Sequence, residues 1–285
     1  MSAPRVLVEG LSFGESPRWA GGRLLVADWG AREILAVDAS GASETVVRLA
    51  DGPFELICFD VLPGGRPLVV SSRARTLLRL EGDGSLVTHA DLTALPERGL
   101  NEIVVDGRGN AYVNGVGFDL ARGEEYAPGT VALLPADGEP RLVAEDLAFP
   151  NGMAVTPDNS TLFVAESYGN RLTAFTIGAD GGLSDRRVWA ETGDDHPDGI
   201  CIDAEGAVWY GDVANRRCVR VREGGEVLEA VGLDRGCFAC MLGGHDARDL
   251  FMVTREWRGM EAIDPSERTG QVVVARAPAP HAGWP

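Results

Sequence analysis

The amino-acid sequence predicts an all-β chain folded as a six-bladed β-propeller with four-stranded blades. Three observations predict this fold. Short apolar runs rich in β-branched and aromatic residues are separated by turns that contain Gly and Asp. The same strand pattern recurs six times, with a period of roughly 40 to 50 residues, which is the size of a propeller blade. No window of helical length shows a convincing amphipathic period.

The six copies keep the same phase along the chain. Their second strands read LLVAD, PLVVSS, AYVNG, TLFVAES, AVWYGD and LFMVT. The central residues of these strands are Leu25, Val69, Val113, Phe163, Trp209 and Phe251, at successive steps of 44, 44, 50, 46 and 42 residues. A β-sandwich is the alternative all-β fold, but it gives no reason for six copies in phase. We therefore expect one closed domain over residues 1–285.

A third apolar strand is predicted after each second strand. These strands read EILAVD, TLLRLE, TVALLP, RLTAFTI, CVRVRE and GMEAID. Closure of the ring should join the N-terminal and C-terminal strands in one blade, so that the early RVLVEG or the late QVVVAR supplies the missing strand. The tail APAPHAGWP, rich in proline and alanine, is expected to be a loose end.

Charge and composition exclude several classes of function. The chain of 285 residues has 26 basic and 43 acidic residues and a net charge of −17, which disfavours nucleic-acid binding. All the basic residues are arginine, so a Schiff-base lysine and a phosphate-loop lysine are excluded. With no leader pattern and no membrane-spanning run, we expect a cytoplasmic monomer or weak homodimer that acts on a small molecule, without a membrane partner.

The five cysteines are predicted to be reduced thiols, because their number is odd and no leader pattern precedes them. Cys237 and Cys240 form a lone CxxC pair. A zinc site would need a second pair of ligands, and the sequence supplies none, so we interpret this pair as buried packing.

Polar residues recur at one position of the strand that precedes each second strand. In five copies this position holds an acid or an amide, and in the sixth it holds Phe238. The five polar residues are Glu15, Glu55, Asn101, Asn151 and Asp198. Because the first strand of a propeller blade lines the central channel, these side chains should converge at one end of it. Asn-Gly and Asp-Gly are also typical of turns. Their repetition in the same phase favours a site built around Glu15, Asn151 and Asp198.

Carboxylate and amide oxygens indicate which cofactor such a site would hold. They are hard ligands that suit Ca²⁺, Mg²⁺ or Mn²⁺ rather than copper or structural zinc. A divalent ion held by two carboxylates and an amide keeps positions for water and substrate. Such an ion can polarise a carbonyl group and lower the pKa of water.

Four motifs resemble the regucalcin/gluconolactonase family over nearly the whole chain: GESPRW, FPNGMAVTPDNSTLFVAES, HPDGICIDAEGAVW and LGGHDARDLFMVT. The resemblance implies a six-bladed propeller with one divalent ion at the channel mouth, Ca²⁺ first, with Mg²⁺, Mn²⁺ or Zn²⁺ as alternatives. It implies hydrolysis of a sugar lactone or a related cyclic ester. By motif, Glu15, Asn151 and Asp198 would bind the ion, and Asp198 would also be the general base.

The resemblance also implies substrate contacts. Asn101 matches the first residue of an Asn-Asp pair in the family, and here the acid that follows is the longer Glu102. Arg98 lies one position from the place of the family's arginine. Asp119, in GFDL, falls near a carboxylate that contacts substrate in the family. Glu55 is an additional acid at its position.

His196 precedes Asp198 by two residues, so both side chains could lie on one side of an extended strand. His196 is therefore either a residue that contacts the metal ligands or the substrate, or a residue of a loop at the rim.

Two alternative functions stay open. One is a related propeller enzyme that uses the same pocket for cyclisation or phosphoester cleavage, which the additional acids Glu55 and Glu102 would favour. The other is a non-catalytic propeller that binds calcium or a partner, since propellers host many functions.

Overall fold

The computed structural model describes residues 3–50, 56–95, 99–119, 122–259 and 262–283. These residues form six sheets of four antiparallel strands, and the predicted six-bladed β-propeller is confirmed. In the described part of the chain, no helix is both long and apolar enough to cross a membrane.

After β1 (Arg5–Leu11), the strands follow the blades in chain order. Blade one contains β2 (Gly14–Ala20), β3 (Arg23–Asp28), β4 (Glu33–Val37) and β5 (Ser43–Arg48). Blade two contains β6 (Ile57–Val61), β7 (Pro67–Ser71), β8 (Thr76–Leu80) and β9 (Leu86–Asp91). Blade three contains β10 (Gly99–Val105), β11 (Ala111–Val116), β12 (Gly129–Leu134) and β13 (Arg141–Leu147).

Blade four contains β14 (Pro150–Val155), β15 (Thr161–Glu166), β16 (Arg171–Ile177) and β17 (Leu183–Glu191). Blade five contains β18 (Pro197–Ile202), β19 (Val208–Asp212), β20 (Arg217–Val221) and β21 (Val227–Gly232). Blade six contains β22 (Gly236–Gly243), β23 (Asp249–Arg255), β24 (Gly270–Arg276) and, as its outer strand, β1.

Ring closure differs in one detail from the expectation. Both terminal strands enter blade six: β24 is its third strand and β1 is its fourth, paired from Arg5 with Val274 to Leu11 with Gly270. GMEAID was wrongly predicted to be the third strand, because its described residues, Gly259 and 262–264, are not in a strand. The turn after β23 is longer than in the other blades, so the third strand comes later.

Apolar packing between neighbouring blades explains why many strands lack a polar face. Every residue of β7, β19 and β22 is buried. A strand covered on both faces reads as a continuous apolar run rather than as an alternation. Large side chains such as Trp209, Tyr112 and Phe59 fill the spaces between blades.

The five cysteines are free and buried, as predicted for reduced thiols. Cys237 and Cys240 lie in the apolar core of blade six. The Sγ atoms of Cys201 and Cys240 are 3.9 Å apart.

The C-terminal tail is docked rather than loose, which corrects the expectation from its composition. The backbone N–H of Ala204 donates to Pro280 O at 2.8 Å, and that of His281 donates to Ala247 O at 2.7 Å. His281 also forms an isolated β-bridge with Asp203. These contacts attach the tail to blades five and six, and they place Ala279 in a fully buried position.

Candidate active site

The inner strands carry β-bulges at the residues that the sequence singled out. In β2, regular pairing stops after Glu15 and resumes at Arg18. The inner strands of blades three, four and five have the same interruption, at Leu100–Ile103, Pro150–Met153 and Pro197–Ile200. A bulge releases a residue from the ladder and changes the direction of its side chain. The recurrent polar position is therefore a recurrent bulge at one end of the channel.

Glycines after Asn151 and Asp198 allow the inner strands to approach one another. Neither Gly152 nor Gly199 has a positive φ. A Cβ atom on Gly152 would lie 2.4 Å from the backbone O of Asp198, and one on Gly199 would lie 2.4 Å from the Cβ of Ala239. The Asn-Gly and Asp-Gly pairs are thus close-approach sites within strands, and the alternative explanation as turns is wrong.

Three acids meet in this part of the channel. Burial, followed by the negative charges of Asp198 and Glu102, raises the pKa of Glu15 well above its usual value. Burial, followed by the charges of Glu102 and Asp212, likewise raises the pKa of Asp198, while a hydrogen bond with the Asn151 side chain opposes the shift. Like charges held close together in a buried site favour protonation or the binding of a cation.

A pocket next to these acids is lined by Ser16, Arg18 and Glu102, and Arg18, the one basic side chain among its described lining residues, is already paired. Arg18 Nε lies 3.0 Å from Asp60 Oδ1, and both side chains are buried. Arg18 Nη2 also donates to the backbone O of Ile103 at 2.7 Å. Asp60 in turn accepts the backbone N–H of Val105 at 2.7 Å. Arg18 is therefore paired with Asp60, and its charge also opposes the rise in the pKa of Glu15 and Glu102.

Glu102 lines the pocket and accepts bonds from two other blades. Ser16 Oγ donates to Glu102 Oε1 at 3.0 Å, and Cys58 Sγ donates to the same atom at 3.3 Å. Burial raises the pKa of Glu102, and Arg18 opposes that shift. Ser16 has a φ of 47°, a left-handed conformation that is uncommon for a residue other than glycine. Such backbone strain is often found at functional sites.

The amide side chains fix the orientation of Asn151. Asn101 Nδ2 donates to the backbone O of Pro150 at 3.2 Å and lies 3.5 Å from Asn151 Oδ1. Asn114 Nδ2 donates to the backbone O of Asn151 at 2.6 Å. Asn151 Nδ2 donates to Ser167 Oγ at 3.3 Å. Asn151 thus donates through its amide nitrogen and accepts from Asn101 through Oδ1, whose second lone pair can face a cation.

Two further candidates lie at the rim. His196 is exposed, and its Nδ1 lies 2.9 Å from the backbone O of Ser167 and 3.2 Å from Asn170 Nδ2. Asp119 is partly buried and forms an ion pair with Arg122 at 3.4 Å. Both side chains are occupied by neighbours on rim loops.

The structure brings the remaining described candidates together in the bulges: Glu15, Asn101, Glu102, Asn151 and Asp198. The other two candidates, Glu55 and Arg98, lie outside the described residues.

Sequence reasoning missed the acids at the ends of the second strands. Asp28 accepts the backbone N–H groups of Ser12 and Phe13 at 2.9 and 3.1 Å. Glu166 accepts the backbone N–H of Ala148 at 2.6 Å. These acids fasten the segment that leads into an inner strand. The signal was present in the sequence, because LLVAD and LFVAE both end on an acid in the same phase.

The donor set fits a hard divalent cation. Glu15, Asn151 and Asp198 provide carboxylate and amide oxygens on three inner strands, and the surrounding acids exceed the one arginine. Within the described ranges, no group of three or more His, Cys, Asp or Glu side chains is arranged to hold an ion by itself. The predicted set has two carboxylates and relies on an amide as the third ligand, which leaves room for water and substrate.

Comparisons with known proteins agree with the fold. Residues 13–256 match the family model described as the SMP-30/gluconolactonase/LRE-like region. The chain is 24% identical over 280 residues to 6-deoxy-6-sulfogluconolactonase of Pseudomonas putida, covering 96% of this chain and 94% of that protein. It is 25% identical to regucalcin of Sus scrofa, covering 98% and 97% of the two chains. A solved calcium-binding regucalcin from Agrobacterium tumefaciens superposes with a TM-score of 0.80 at 22% identity, covering 99% and 96% of the two chains.

Proposed function

Because the chain belongs to the SMP-30/gluconolactonase/LRE-like family, we propose that it is a divalent-metal-dependent hydrolase that opens a lactone by attack of water. The observation that carries this proposal is the electrostatic influence of Glu15, Glu102 and Asp198 on one another at one end of the channel. Of the described residues that line the adjoining cavity, the one arginine, Arg18, is already paired with Asp60. Such a pocket has an excess of negative charge that a cation would offset. The relative named for a gluconolactone supports the choice of a lactone as the substrate class.

Glu15, Asn151 and Asp198 would hold the cation, and we propose Ca²⁺ as its identity. Oxygen ligands favour this ion, and the regucalcin of Agrobacterium tumefaciens is described as calcium-binding. When bound, the ion would supply the positive charge that polarises the lactone carbonyl and makes water more acidic.

Asp198 is the proton acceptor in this proposal. Its carboxylate takes a proton from the water that attacks the carbonyl carbon, and the ring C–O bond then breaks. The same proton passes to the ring oxygen as it leaves, so the product is the open hydroxy acid. The hydrogen bond from Asn151 orients the Asp198 carboxylate for this transfer.

Asn101 and Glu102 orient the substrate. Asn101 lies beside Asn151, so its amide can contact a lactone bound at the same place. Glu102 is held by Ser16 and Cys58, so its carboxylate has a fixed position in the pocket wall. A fixed carboxylate suits recognition of a substrate hydroxyl group.

The test is a panel of five- and six-membered lactones, with proton release followed by a pH indicator. We expect turnover in the presence of Ca²⁺, its loss after chelation and its recovery when the ion is restored. Absence of turnover on every lactone, with metal binding intact, would favour the non-catalytic alternative. Turnover that is indifferent to chelation would refute the metal-dependent mechanism.

A further inference from the structure

Four aromatic side chains form one cluster of ring contacts at the channel mouth, here named the aromatic rim: Phe118, Tyr126, Phe149 and Tyr168. Phe149 and Tyr168 stack with their centroids 4.7 Å apart. The centroid of the Phe118 ring lies 5.6 to 6.2 Å from the centroids of the other three rings. Phe118 is 4% exposed, whereas Tyr126 and Tyr168 are 52% and 47% exposed. In the described part of the chain, these two tyrosines are the only aromatic residues among the exposed large hydrophobic side chains.

The aromatic rim is continuous with the candidate active site. Phe149 precedes Asn151 by two residues at the start of β14. Tyr168 follows Ser167, whose Oγ accepts a hydrogen bond from Asn151 Nδ2 at 3.3 Å and donates to Pro197 O at 2.8 Å. The rim therefore lies at the same end of the channel as the proposed ligands, on the side of blades three and four.

The rim has a fixed shape. Phe149 has a φ of 58°, a conformation that costs energy for an aromatic residue. Two backbone hydrogen bonds hold this turn, from Ser167 N to Phe149 O and from Tyr168 N to Ala148 O, each at 3.1 Å. The buried Glu166 carboxylate accepts the N–H of Ala148 at 2.6 Å. A strained turn fixed by a buried acid indicates a constructed surface rather than an incidental cluster.

The side chains of the aromatic rim indicate which kind of chemical group would bind there. The ring faces of Tyr126 and Tyr168 offer stacking to a flat apolar group. The four rim side chains are Phe and Tyr, so they offer no charged group to pair with an ionic substituent. A neutral aromatic substituent satisfies both conditions, because it presents a flat apolar face to the tyrosine rings.

We propose that the aromatic rim is a subsite for a neutral aromatic substituent of the substrate, so that the preferred lactones carry a planar apolar group. This inference rests on the proposed lactone hydrolysis and narrows its substrate class. The rim contributes to binding of the substituent, whereas the channel residues act on the lactone ring.

The test compares γ-butyrolactone with γ-phenyl-γ-butyrolactone, which differ by one phenyl group. We expect the wild-type KM to be about tenfold lower for the phenyl lactone, the size of effect that one or two ring contacts give. Tyr168→Ala should raise KM for the phenyl lactone about tenfold more than for γ-butyrolactone. Tyr168→Phe keeps the ring and should retain the preference. Val188→Ala, at another exposed apolar residue, is the matched control.

Equal KM values for the two lactones in the wild type, or equal effects of Tyr168→Ala on both, would overturn the subsite. A concentration-dependent dimer that Tyr168→Ala dissociates would assign the rim to a second copy of the chain and would also overturn it. Thermal unfolding of each variant checks that the fold is retained.

A binding experiment separates failure of the subsite from failure of the proposed function. Calorimetry compares 5-phenyl-2-pyrrolidinone with 2-pyrrolidinone, the corresponding lactams, which resist hydrolysis. Tighter binding of the phenyl lactam that is lost in Tyr168→Ala supports the subsite even if neither lactone is hydrolysed. Equal binding of the two lactams contradicts the subsite, whatever the outcome of the activity assay.

Discussion

Two acidic residues of the channel, Glu15 and Asp198, lie where their ionised forms are disfavoured. Glu15 is buried and Asp198 is half-buried. Burial and the charges of Asp198 and Glu102 raise the pKa of Glu15, and burial and the charges of Glu102 and Asp212 raise the pKa of Asp198. A side chain that only stabilised the fold would be better replaced here by an apolar one. The proposed cation would explain their presence in bulges on separate inner strands, because it needs their negative charge.

The proton-acceptor role of Asp198 is tested by Asp198→Asn. The amide keeps an oxygen that can bind a cation but cannot accept a proton at neutral pH. We expect a folded protein with weakened metal binding and a kcat at saturating metal lower by at least about a hundredfold. Steady-state kinetics across a metal titration measures both quantities.

Asn151→Ala is the comparison for Asp198→Asn. It removes a ligand oxygen but no proton acceptor, so added metal should partly restore its activity. A near-normal kcat for Asp198→Asn at saturating metal would restrict Asp198 to the role of a ligand.

At the scale of strands, the bulged inner strands approach one another closely, which brings the proposed metal ligands together. Gly152→Ala tests this feature. The new Cβ would meet the backbone O of Asp198 at 2.4 Å, and backbone cannot move aside as a side chain can. We expect the free energy of unfolding to fall by about 1 to 3 kcal/mol and metal affinity to fall with it.

Gly232→Ala is the matched control for Gly152→Ala, because nothing lies within 4 Å of a Cβ atom at Gly232. Urea denaturation compares the two variants. An equal change in the free energy of unfolding would show that close approach at Gly152 is not a constraint.

The docked tail predicts a pH dependence of stability. Burial lowers the pKa of His281 from 6.5 to about 4. Because the folded value lies below the unfolded value, the unfolded chain binds the proton first. The free energy of unfolding should therefore decrease as the pH falls from 6.5 towards 4, by at most about 3 kcal/mol from this group.

Thermal unfolding at pH 7.5 and pH 4.5 measures this contribution as a difference between wild type and His281→Gln. The variant should lose less stability on acidification than the wild type. His245→Gln, at an exposed histidine, should behave as the wild type does. Identical pH dependence in all three proteins would contradict the account of the tail.

At the scale of the whole molecule, β1 closes the ring by pairing with β24, so the first strand stabilises the last blade. Leu11→Ala tests this closure, because Leu11 is 3% exposed and packs in the core of blade six. We expect it to lower the free energy of unfolding by about 2 to 5 kcal/mol. Val6→Ala, on the exposed face of the same strand, should change it by less than about 0.5 kcal/mol. Denaturant titration that gives equal changes would contradict a closing role for β1.

The propeller could be predicted from the sequence because its blades repeat: the second strands around Leu25 and Phe163 share one phase across the chain. The repeats also predicted that the polar residues at one position of the inner strands lie close together. The prediction from the repeats was wrong in blade six, which departs from the repeat. There GMEAID has the sequence pattern of a third strand, but the third strand of the blade is β24, which comes later in the chain.

Contacts between segments that are far apart in the sequence could not be predicted from it. The bonds from Ser16 and Cys58 to Glu102 span 86 and 44 residues, and no local pattern encodes them. The composition of the tail suggested mobility, but docking depends on a groove between blades that only the closed ring creates.

Calorimetric titration of Ca²⁺ into chelator-treated protein shows directly whether the channel acids form a cation site. The account predicts one ion per chain for the wild type and at least about tenfold weaker binding for Glu15→Gln. Glu139→Gln, which removes an exposed acid, should bind as the wild type does. Binding that is absent in the wild type, or equal in Glu15→Gln and the wild type, would contradict the claim.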